Sequence, residues 1–312
     1  MPVLGIDLGG TKVAVALFSE SGLLLSKTAV PLDGRKGSEV GALIQMLVKD
    51  HLPKGIRSIG VAVPGISRHA TGTVWAPNIE GWDDYPLKEK IEEVADGAPV
   101  TIDSDRACSI LGEQWCGSAK GCKDAIFIAV GTGIGAGILV DGNVLRGAHD
   151  IAGAIGWMAL TKPFENKYKS CGCFEFYASG TGIPKLAREV LSADSTASVL
   201  RIYPPDDLSA RHVFEAFDEQ DPLAHTIIRE CISFWGMAAA NLVSILNPEK
   251  IIFGGGIFGP ASKFINDIKA AATKWAQPIS ITQVSFENAL LGADASVYGA
   301  GFLAFKNQAL NK

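Results

Sequence analysis

The chain has 312 residues, of which 47% are apolar and 20% are charged, and its formal net charge is −5 at pH 7. This length exceeds one ordinary hydrophobic core and predicts two lobes, while the apolar content excludes a disordered chain. The acidic balance, without any block of Lys and Arg, argues against nucleic acid as a partner. No apolar run approaches the roughly 18 residues of a membrane span, and no signal segment precedes the first strand, so we expect a cytoplasmic protein without a membrane partner. The six cysteines are scattered, which favours reduced thiols over a disulfide scaffold.

Apolar stretches separated by turn signals open the chain in the pattern of a three-stranded antiparallel meander, VLGIDLG, TKVAVALF and LLLSKTAVPL. The segment SEVGALIQMLVKDHL then has apolar residues at helical spacing, and IRSIGVAVPG predicts a short buried strand. After Gly121 the order recurs with DAIFIAVG, AGILVDG and NVLRGA, in which Asp141-Gly142 is a good hairpin turn. A long helix is predicted over DPLAHTIIRECISFWGMAAANLVSIL, followed by a strand in IIFGGGIF and a last helix in ASVYGAGFLAF. Two similarly built lobes with a cleft between them are expected, with the boundary and a hinge near Gly117 to Gly121.

The stretch DLGGTK, residues 7 to 12, predicts a phosphate site in a β-turn-β unit. Glycines remove Cβ atoms, so the backbone N–H groups of Gly9, Gly10 and Thr11 can approach phosphate oxygens, with Lys12 next in the chain. The neighbouring carboxylate of Asp7 suits Mg²⁺, which takes few protein ligands and shares its shell with phosphate and water. For this segment alone, a plain hairpin turn with a solvated aspartate is the alternative.

Two further glycine clusters predict sites for the rest of a nucleotide. The stretch VGTGIGAGI, residues 130 to 138, fits a relaxed dinucleotide fingerprint, but that fingerprint requires a following helix and the continuation GILVDGNVL alternates like a hairpin. A second β-turn-β phosphate clamp is therefore favoured, and its residues are Gly131, Thr132, Gly133 and Gly135. A third cluster would let a flat ring such as adenine lie against backbone, and it consists of Gly254, Gly255 and Gly256.

These segments, in this order and spacing, resemble the ROK family of sugar kinases and related repressors, within the actin-like ATPase superfamily. The resemblance runs from about residue 3 to about residue 305 and is carried by DLGGTK, GVAVPG (60 to 65), APNIEGW (76 to 82), IDSDRACSILGE (102 to 113), VGTGIGAGI, CGCFEFYASG (171 to 180) and NPEKIIFGGGI (247 to 257). It implies an α/β, two-lobed actin-like ATPase (ribonuclease H-like) fold, in which each lobe is a mixed sheet with helices and the active-site cleft lies between the lobes. The implied lobes are residues 1–118, joined by a C-terminal helix over 294–312, and residues 119–293.

The resemblance implies ATP-dependent phosphorylation of a hexose hydroxyl, usually the 6-hydroxyl, with ATP and Mg²⁺ as cofactors and a homodimer as the assembly. A hydroxyl is a poor nucleophile, so a carboxylate must orient it and accept its proton as the γ-phosphoryl group departs. The family's catalytic aspartate maps to Asp103. Spacing alone leaves Asp105 open as the base, because in an extended segment both side chains would point the same way.

The sugar-side segments depart from the family pattern. Where the family carries Ala-Gly-Glu-Ile-Gly-His, this chain has Ala154 and Trp157 in place of the sugar-contacting glutamate and the histidine that also binds zinc. The cysteine motif is incomplete too, so Cys173 and the displaced Cys171 supply at most two of the four ligands of a structural zinc site. No zinc is therefore expected. Trp157 either stacks on the sugar or an acyl substituent, or fills the space left by the metal.

The altered motifs predict an unusual substrate. Ile102 stands where the family usually has an asparagine, so three polar sugar contacts are missing in all. A site built to hydrogen-bond hydroxyl groups rejects analogues that leave its polar groups unpaired, so losing three such groups changes what is bound. We expect a modified hexose, such as an amino or acylated sugar, and the expected sugar contacts are Gly65, Asn78, Asp103, Trp157 and Glu175.

A second hypothesis is a regulator of the same fold that binds sugar or nucleotide without turnover. The family's repressor branch carries a helix-turn-helix ahead of the first phosphate motif, and six residues precede Asp7 here, so a DNA-binding repressor is not expected. A chaperone-type actin-like ATPase is disfavoured by the sugar-side segments. The presence of Asp7, Asp103 and the glycine clusters favours turnover, because a sensor needs no base at the phosphoryl acceptor.

Overall fold

The first sheet begins with the antiparallel meander that the sequence predicts. The computed structural model describes residues 2–309. The strands of this sheet are β1 (Val3–Leu8), β2 (Lys12–Phe18), β3 (Leu24–Pro31), β4 (Ile59–Val63) and β7 (Val100–Ser104), and a separate pair consists of β5 (Ile66–Arg68) and β6 (Thr73–Trp75). The order is β3-β2-β1-β4-β7, with β1, β2 and β3 antiparallel and with β4 and β7 parallel to β1. The carboxyl ends of β1, β4 and β7 therefore lie at one edge, where loops can carry functional side chains.

Four helices accompany this sheet, α1 (Gly37–His51), α2 (Leu87–Glu92), α3 (Asp105–Cys116) and α10 (Ala295–Ala309). The helix predicted from SEVGALIQMLVKDHL is confirmed as α1, which buries Val40, Leu43, Ile44 and Leu47 at helical spacing. Glycines let α10 approach its neighbours closely. A Cβ atom at Gly299 would lie 1.6 Å from the carbonyl oxygen of Cys108 on α3, and one at Gly60 would lie 1.9 Å from that of Ala300.

The second sheet also follows the predicted order of elements. Its strands are β8 (Ala125–Val130), β9 (Ile134–Val140), β10 (Asn143–Val144), β11 (Lys250–Gly254) and β12 (Ser285–Asn288), in the order β10-β9-β8-β11-β12. Asp141 and Gly142 form the β9–β10 turn with φ of 48° and 75°, as a type I′ hairpin requires. No helix follows the second glycine cluster, and the hairpin predicted there in preference to a dinucleotide fold is confirmed.

Six helices occur between β10 and β12, α4 (Cys173–Ala178), α5 (Ile183–Ala193), α6 (Ala210–Asp218), α7 (Pro222–Leu246), α8 (Ile265–Thr273) and α9 (Pro278–Gln283). The predicted long helix is α7. The Asp221 carboxylate accepts hydrogen bonds from the N–H groups of Leu223 and Ala224 at its start, each at 3.0 Å. Asn247 ends the helix in the left-handed conformation, with φ 44°.

The described chain divides into two compact units, residues 2–122, 137–152 and 289–309 in one and residues 123–136 and 153–288 in the other. The predicted lobes, residues 1–118 with 294–312 and residues 119–293, take no account of residues 137–152. Within residues 2–309, no helix combines the length and the apolar character that crossing a bilayer requires.

A buried carboxylate joins distant segments of the first unit. Glu113, on α3, has no exposed surface. Its carboxylate accepts hydrogen bonds from the N–H groups of Ser118 at 2.6 Å and Leu291 at 2.9 Å, with that of Leu290 at 3.3 Å. Three amide donors thus satisfy a charge that would be costly to bury alone.

Candidate active site

The first glycine turn exposes backbone beside Asp7, as the sequence predicts. The N–H of Gly9 donates to the carbonyl oxygen of Lys12 at 2.9 Å, so this amide closes the turn itself. Gly10 and Thr11 are exposed at its tip, and a Cβ atom at Gly10 would lie 3.7 Å from the Cβ atom of Asn78. Gly10 and Thr11 are therefore better placed than Gly9 to offer backbone N–H groups to an anion.

Asp7 is a carboxylate with a raised proton affinity. It lies near the end of β1, and the hydroxyl of Ser296 on α10 donates to its Oδ1 atom at 2.8 Å. Burial raises the pKa of Asp7 to about 6, the charge of Asp105 adds to this, and Ser296 and Lys12 act in the opposite direction. A carboxylate whose charge is opposed by burial and by a second carboxylate suits Mg²⁺, which binds through one or two protein carboxylates together with phosphate oxygens.

The β7–α3 junction presents two aspartates in different environments. Asp103 is on β7 and is 2% exposed. Its Oδ1 atom accepts the N–H of Ser104 at 2.8 Å, and its Oδ2 atom accepts from Nε and Nη2 of Arg146 at 3.0 and 2.6 Å. Burial favours the neutral acid, but His69 and Arg146 together outweigh it and hold the pKa of Asp103 below its ordinary value. Asp103 is thus a paired carboxylate with both oxygens engaged.

Asp105 is the first residue of α3 and does not continue the extended strand. Ser104 caps this helix, because its hydroxyl accepts the N–H of Ala107 at 3.3 Å. The expectation that Asp103 and Asp105 point the same way along one extended segment is therefore wrong. Burial raises the pKa of Asp105, and the charge and N–H of Arg106 oppose this only in part.

A histidine that the sequence did not single out lies against Asp103. His69 Nε2 is 3.7 Å from Asp103 Oδ2, a charge contact longer than a hydrogen bond. Asp150 holds this histidine through its ring Nδ1 atom at 3.0 Å and through its backbone N–H at 3.1 Å. The Asp103 carboxylate raises the pKa of His69 despite partial burial, so its charged form is favoured. His69, Arg146 and Asp150 come from segments with no shared motif, so only the fold could reveal them.

Gly65 has a backbone reason to be glycine. It lies between β4 and β5 with φ 87°, and a Cβ atom there would lie 2.2 Å from the carbonyl oxygen of Trp75. Its own carbonyl oxygen accepts from Nη2 of Arg106 at 3.2 Å. Asn78, the other predicted sugar contact in this part of the chain, is exposed.

The second glycine turn, between β8 and β9, is held by Glu175 and by the segment that follows it. Glu175 Oε2 accepts the N–H of Ile134 at 2.6 Å, and Gly131 O accepts the N–H of Gly180 at 2.7 Å. A Cβ atom at Gly133 would lie 2.6 Å from Glu175 Oε2. Burial raises the pKa of Glu175, and the hydrogen bond from the Ile134 N–H partly offsets this rise. Of the four predicted clamp residues, Thr132 is exposed and Gly135 is buried within β9.

The third glycine cluster follows β11. Gly254 is buried, Gly255 has φ 89°, and a Cβ atom at Gly255 would lie 2.5 Å from the carbonyl oxygen of Val130. Gly256 is exposed with open space where a Cβ atom would be. This leaves bare backbone of the kind predicted for contact with a flat ring.

The segment where the family pattern implies zinc contains two cysteines and an exposed tryptophan. Cys171 is half-buried and Cys173 is buried, and Trp157 is 57% exposed. Across the described part of the chain, no group of three or more His, Cys, Asp and Glu side chains is arranged to hold a metal ion. The lack of zinc in the purified protein stays a prediction. The exposure of Trp157 argues against its filling a vacated metal site.

Comparison with known proteins assigns the family. The chain matches the ROK family over residues 3–307. This chain belongs to the ROK family. It is 35% identical to the glucokinase of Halalkalibacterium halodurans, covering 96% of this chain and 94% of that protein, and 30% identical to the glucokinase of Streptomyces coelicolor, covering 87% of each.

A solved structure extends the comparison to the fold. The ROK family glucokinase of Streptomyces griseus, in complex with glucose and AMPPNP, superposes with a TM-score of 0.79 at 28% identity and covers 98% of this chain and 100% of that one. The predicted ROK family and the two-lobed actin-like ATPase fold are therefore confirmed. The protein is a carbohydrate kinase of the ROK family, as predicted.

Proposed function

We propose that this ROK protein transfers the γ-phosphoryl group of Mg-ATP to the 6-hydroxyl group of a hexose or hexose derivative. The observation that carries the proposal is the pair of aspartates at the β7–α3 junction, whose environments push their pKa values in opposite directions. Such a split is expected where one carboxylate takes a proton and its neighbour stays ionised. The glucose and AMPPNP of the Streptomyces griseus relative support a sugar and an adenine nucleotide as ligands.

The general base must accept the proton of the attacking hydroxyl. The family pattern favours Asp103, but Arg146 already engages its Oδ2 atom with two hydrogen bonds and the pKa of Asp103 is depressed. Asp105 has a raised pKa and lies at the sheet edge where the loops begin, so it has the greater driving force for accepting a proton. These contacts support Asp105 as the base, with Asp103 holding Arg146 and His69 in position.

The nucleotide would be held mainly by backbone. Gly10 and Thr11 with Lys12, and the turn of Gly131, Thr132 and Gly133, offer N–H groups and one ammonium to phosphate oxygens. Mg²⁺, held by Asp7 with Asp105 nearby, would neutralise phosphate charge when bound. The bare backbone at Gly255 and Gly256 would accept the adenine or its ribose.

The sugar would be held by few polar groups. Glu175 and Asn78 remain as hydrogen-bonding side chains, Gly65 offers backbone, and Ala154 has no polar atom to offer. Trp157 is exposed and offers an apolar face for a sugar ring or an acyl substituent. This composition supports an amino or acylated hexose over unmodified glucose.

A substrate panel tests the proposal. ADP release from Mg-ATP would be measured over glucose, mannose, their 2-amino forms and their N-acetylated forms, with binding of each sugar followed by calorimetry. Turnover of at least one of them is expected, with kcat/KM highest for a substituted hexose. Sugar binding without ADP release from any of them would instead support the regulator hypothesis. The homodimer stays a prediction, which light scattering would check.

A further inference from the structure

A lysine in the segment between Trp157 and α4 lies among aromatic rings. Lys167 is in a short 3-10 helix, Asn166–Lys169, and its ammonium lies 5.5, 5.2 and 5.1 Å from the ring centroids of Tyr168, Phe176 and Tyr177. These distances are within the range of cation–π attraction, and the surroundings are partly desolvated, which strengthens it. The side chain is 26% exposed.

Carboxylates complete the surroundings of this ammonium. Lys167 Nζ is 2.8 Å from Glu189 Oε1 on α5 and 3.4 Å from Glu165 Oε2. Partial burial disfavours the charged amine, but the contributions of Glu189 and Tyr177 together outweigh it and raise the pKa of Lys167 above its ordinary value. The amine therefore stays charged at every physiological pH and connects the 3-10 helix to α4 and α5.

The rings that Lys167 contacts belong to the helix that carries Glu175. Phe176 and Tyr177 are the next two residues on α4, and the Tyr177 hydroxyl is 3.0 Å from the Tyr168 hydroxyl. Tyr177 also stacks on Phe234 of α7 at 4.9 Å between centroids. Lys167 thus contacts the two residues that follow Glu175 on α4, and the Glu175 carboxylate accepts the Ile134 N–H.

We propose that Lys167 is a positioning residue for the sugar site, which fixes α4, and thereby Glu175, through an ammonium enclosed by three aromatic rings and two carboxylates. These contacts lie in the segment where the family pattern implies zinc, between Trp157 and α4. The proposal rests on the proposed sugar-binding role of Glu175. The sequence of this segment showed an incomplete cysteine motif, and the structure adds a lysine ammonium that contacts three aromatic rings.

Replacing the ammonium while keeping the stem isolates its role. Lys167→Met keeps the length of the side chain and removes the charge, Lys167→Arg keeps the charge, and Lys169→Met removes an exposed charge from the same short helix as a matched control. We expect the KM for the sugar to rise roughly tenfold or more in Lys167→Met, with the KM for ATP unchanged, and to recover in large part in Lys167→Arg. Lys169→Met should match the wild type. A loss confined to kcat or to thermal stability, with an unchanged sugar KM, would show a merely structural lysine and overturn the proposal.

A second measurement does not depend on turnover. Amide hydrogen exchange over residues 173–178 should be faster in Lys167→Met than in the wild type and in Lys169→Met, because α4 loses its cross-link. Unchanged exchange there would refute the positioning role even if no sugar is phosphorylated, whereas absence of turnover with the expected exchange would count against the proposed function alone.

Elemental analysis of the wild type should find less than one zinc per chain, and a zinc chelator should leave the exchange of residues 173–178 unchanged. One zinc per chain, with faster exchange on chelation, would assign the cross-linking role to the metal.

Discussion

At the scale of single residues, the two aspartates of the β7–α3 junction show how surroundings divide similar groups between roles. Each accepts the N–H of the residue that follows it, but Asp103 also receives two hydrogen bonds from Arg146 and a charge contact from His69. The sequence could place both in the right segment. Spacing alone could not choose between them, because the partners of Asp103 come from positions 69 and 146, which no local pattern connects to it.

Substitution of each aspartate tests the assignment of the base. Asp105→Asn should lower kcat by about 10² to 10⁴-fold, because the amide cannot accept the proton of the hydroxyl. Asp103→Asn should have a smaller effect on kcat and should mainly raise the KM for the sugar, since it releases Arg146 and His69. Initial-rate kinetics on the best substrate of the panel would measure both, and Arg146→Lys serves as a control that keeps the charge near Asp103. The opposite ranking of kcat would return the role to Asp103, as the family pattern has it.

Asp7→Asn is expected to stabilise the metal-free protein at neutral pH while removing its activity. The pKa of about 6 in the folded state exceeds the ordinary value of 3.8, so between these values the folded state binds more protons than the unfolded state and stability falls as pH rises. At pH 7 the ionised carboxylate costs the fold roughly 1 to 3 kcal/mol, and an amide removes that cost while its oxygen still accepts from Ser296. Urea unfolding without Mg²⁺ at pH 7 and pH 4 would measure the difference. The gain should be largest at pH 7, and a gain independent of pH would contradict the raised pKa.

At the scale of elements, local patterns were enough for the strands and the long helix but not for the start of α3. The meander, α1, the β9–β10 hairpin and α7 each have a period or a turn signal contained within about 25 residues. The junction at Ser104 had a signal as well, since a serine before Asp105 is a common helix N-cap, and an extended segment was nevertheless expected. The close packing of α10 had no local signal, because its glycine contacts join residues far apart in sequence, such as Gly299 with Cys108 and Gly5 with Val297.

The packing of α10 gives a prediction at this scale. Gly299→Ala should destabilise the protein by about 3 kcal/mol or more, because the added Cβ atom would lie 1.6 Å from the carbonyl oxygen of Cys108 and the two helices would have to separate. Gly259→Ala is the matched control, since its Cβ atom would have an ordinary contact at 3.5 Å. Thermal unfolding of both variants would measure the difference. Equal midpoints would show that α10 and α3 do not pack as closely as described.

At the scale of the whole molecule, the first unit contains both ends of the described chain. α10 packs on β1 and β4, where Gly5 and Gly60 leave room for its backbone, and Glu113 receives the amides of Leu290 and Leu291 just before it. Length predicted two lobes, and the family resemblance implied that a C-terminal helix over 294–312 joins the first of them. Residues 137–152 belong with the first unit because of their contacts. No change in composition along the chain marks where this segment begins or ends.

This arrangement has a consequence for synthesis on the ribosome. β1 is translated well before α10, the helix that covers it, so the face of β1 and β4 that α10 buries stays open until residues 295–309 have been made. Residues 153–288 include most of the second unit and are complete earlier. The first unit therefore finishes folding after the second, although its β1, β2 and β3 are translated before any strand of the second.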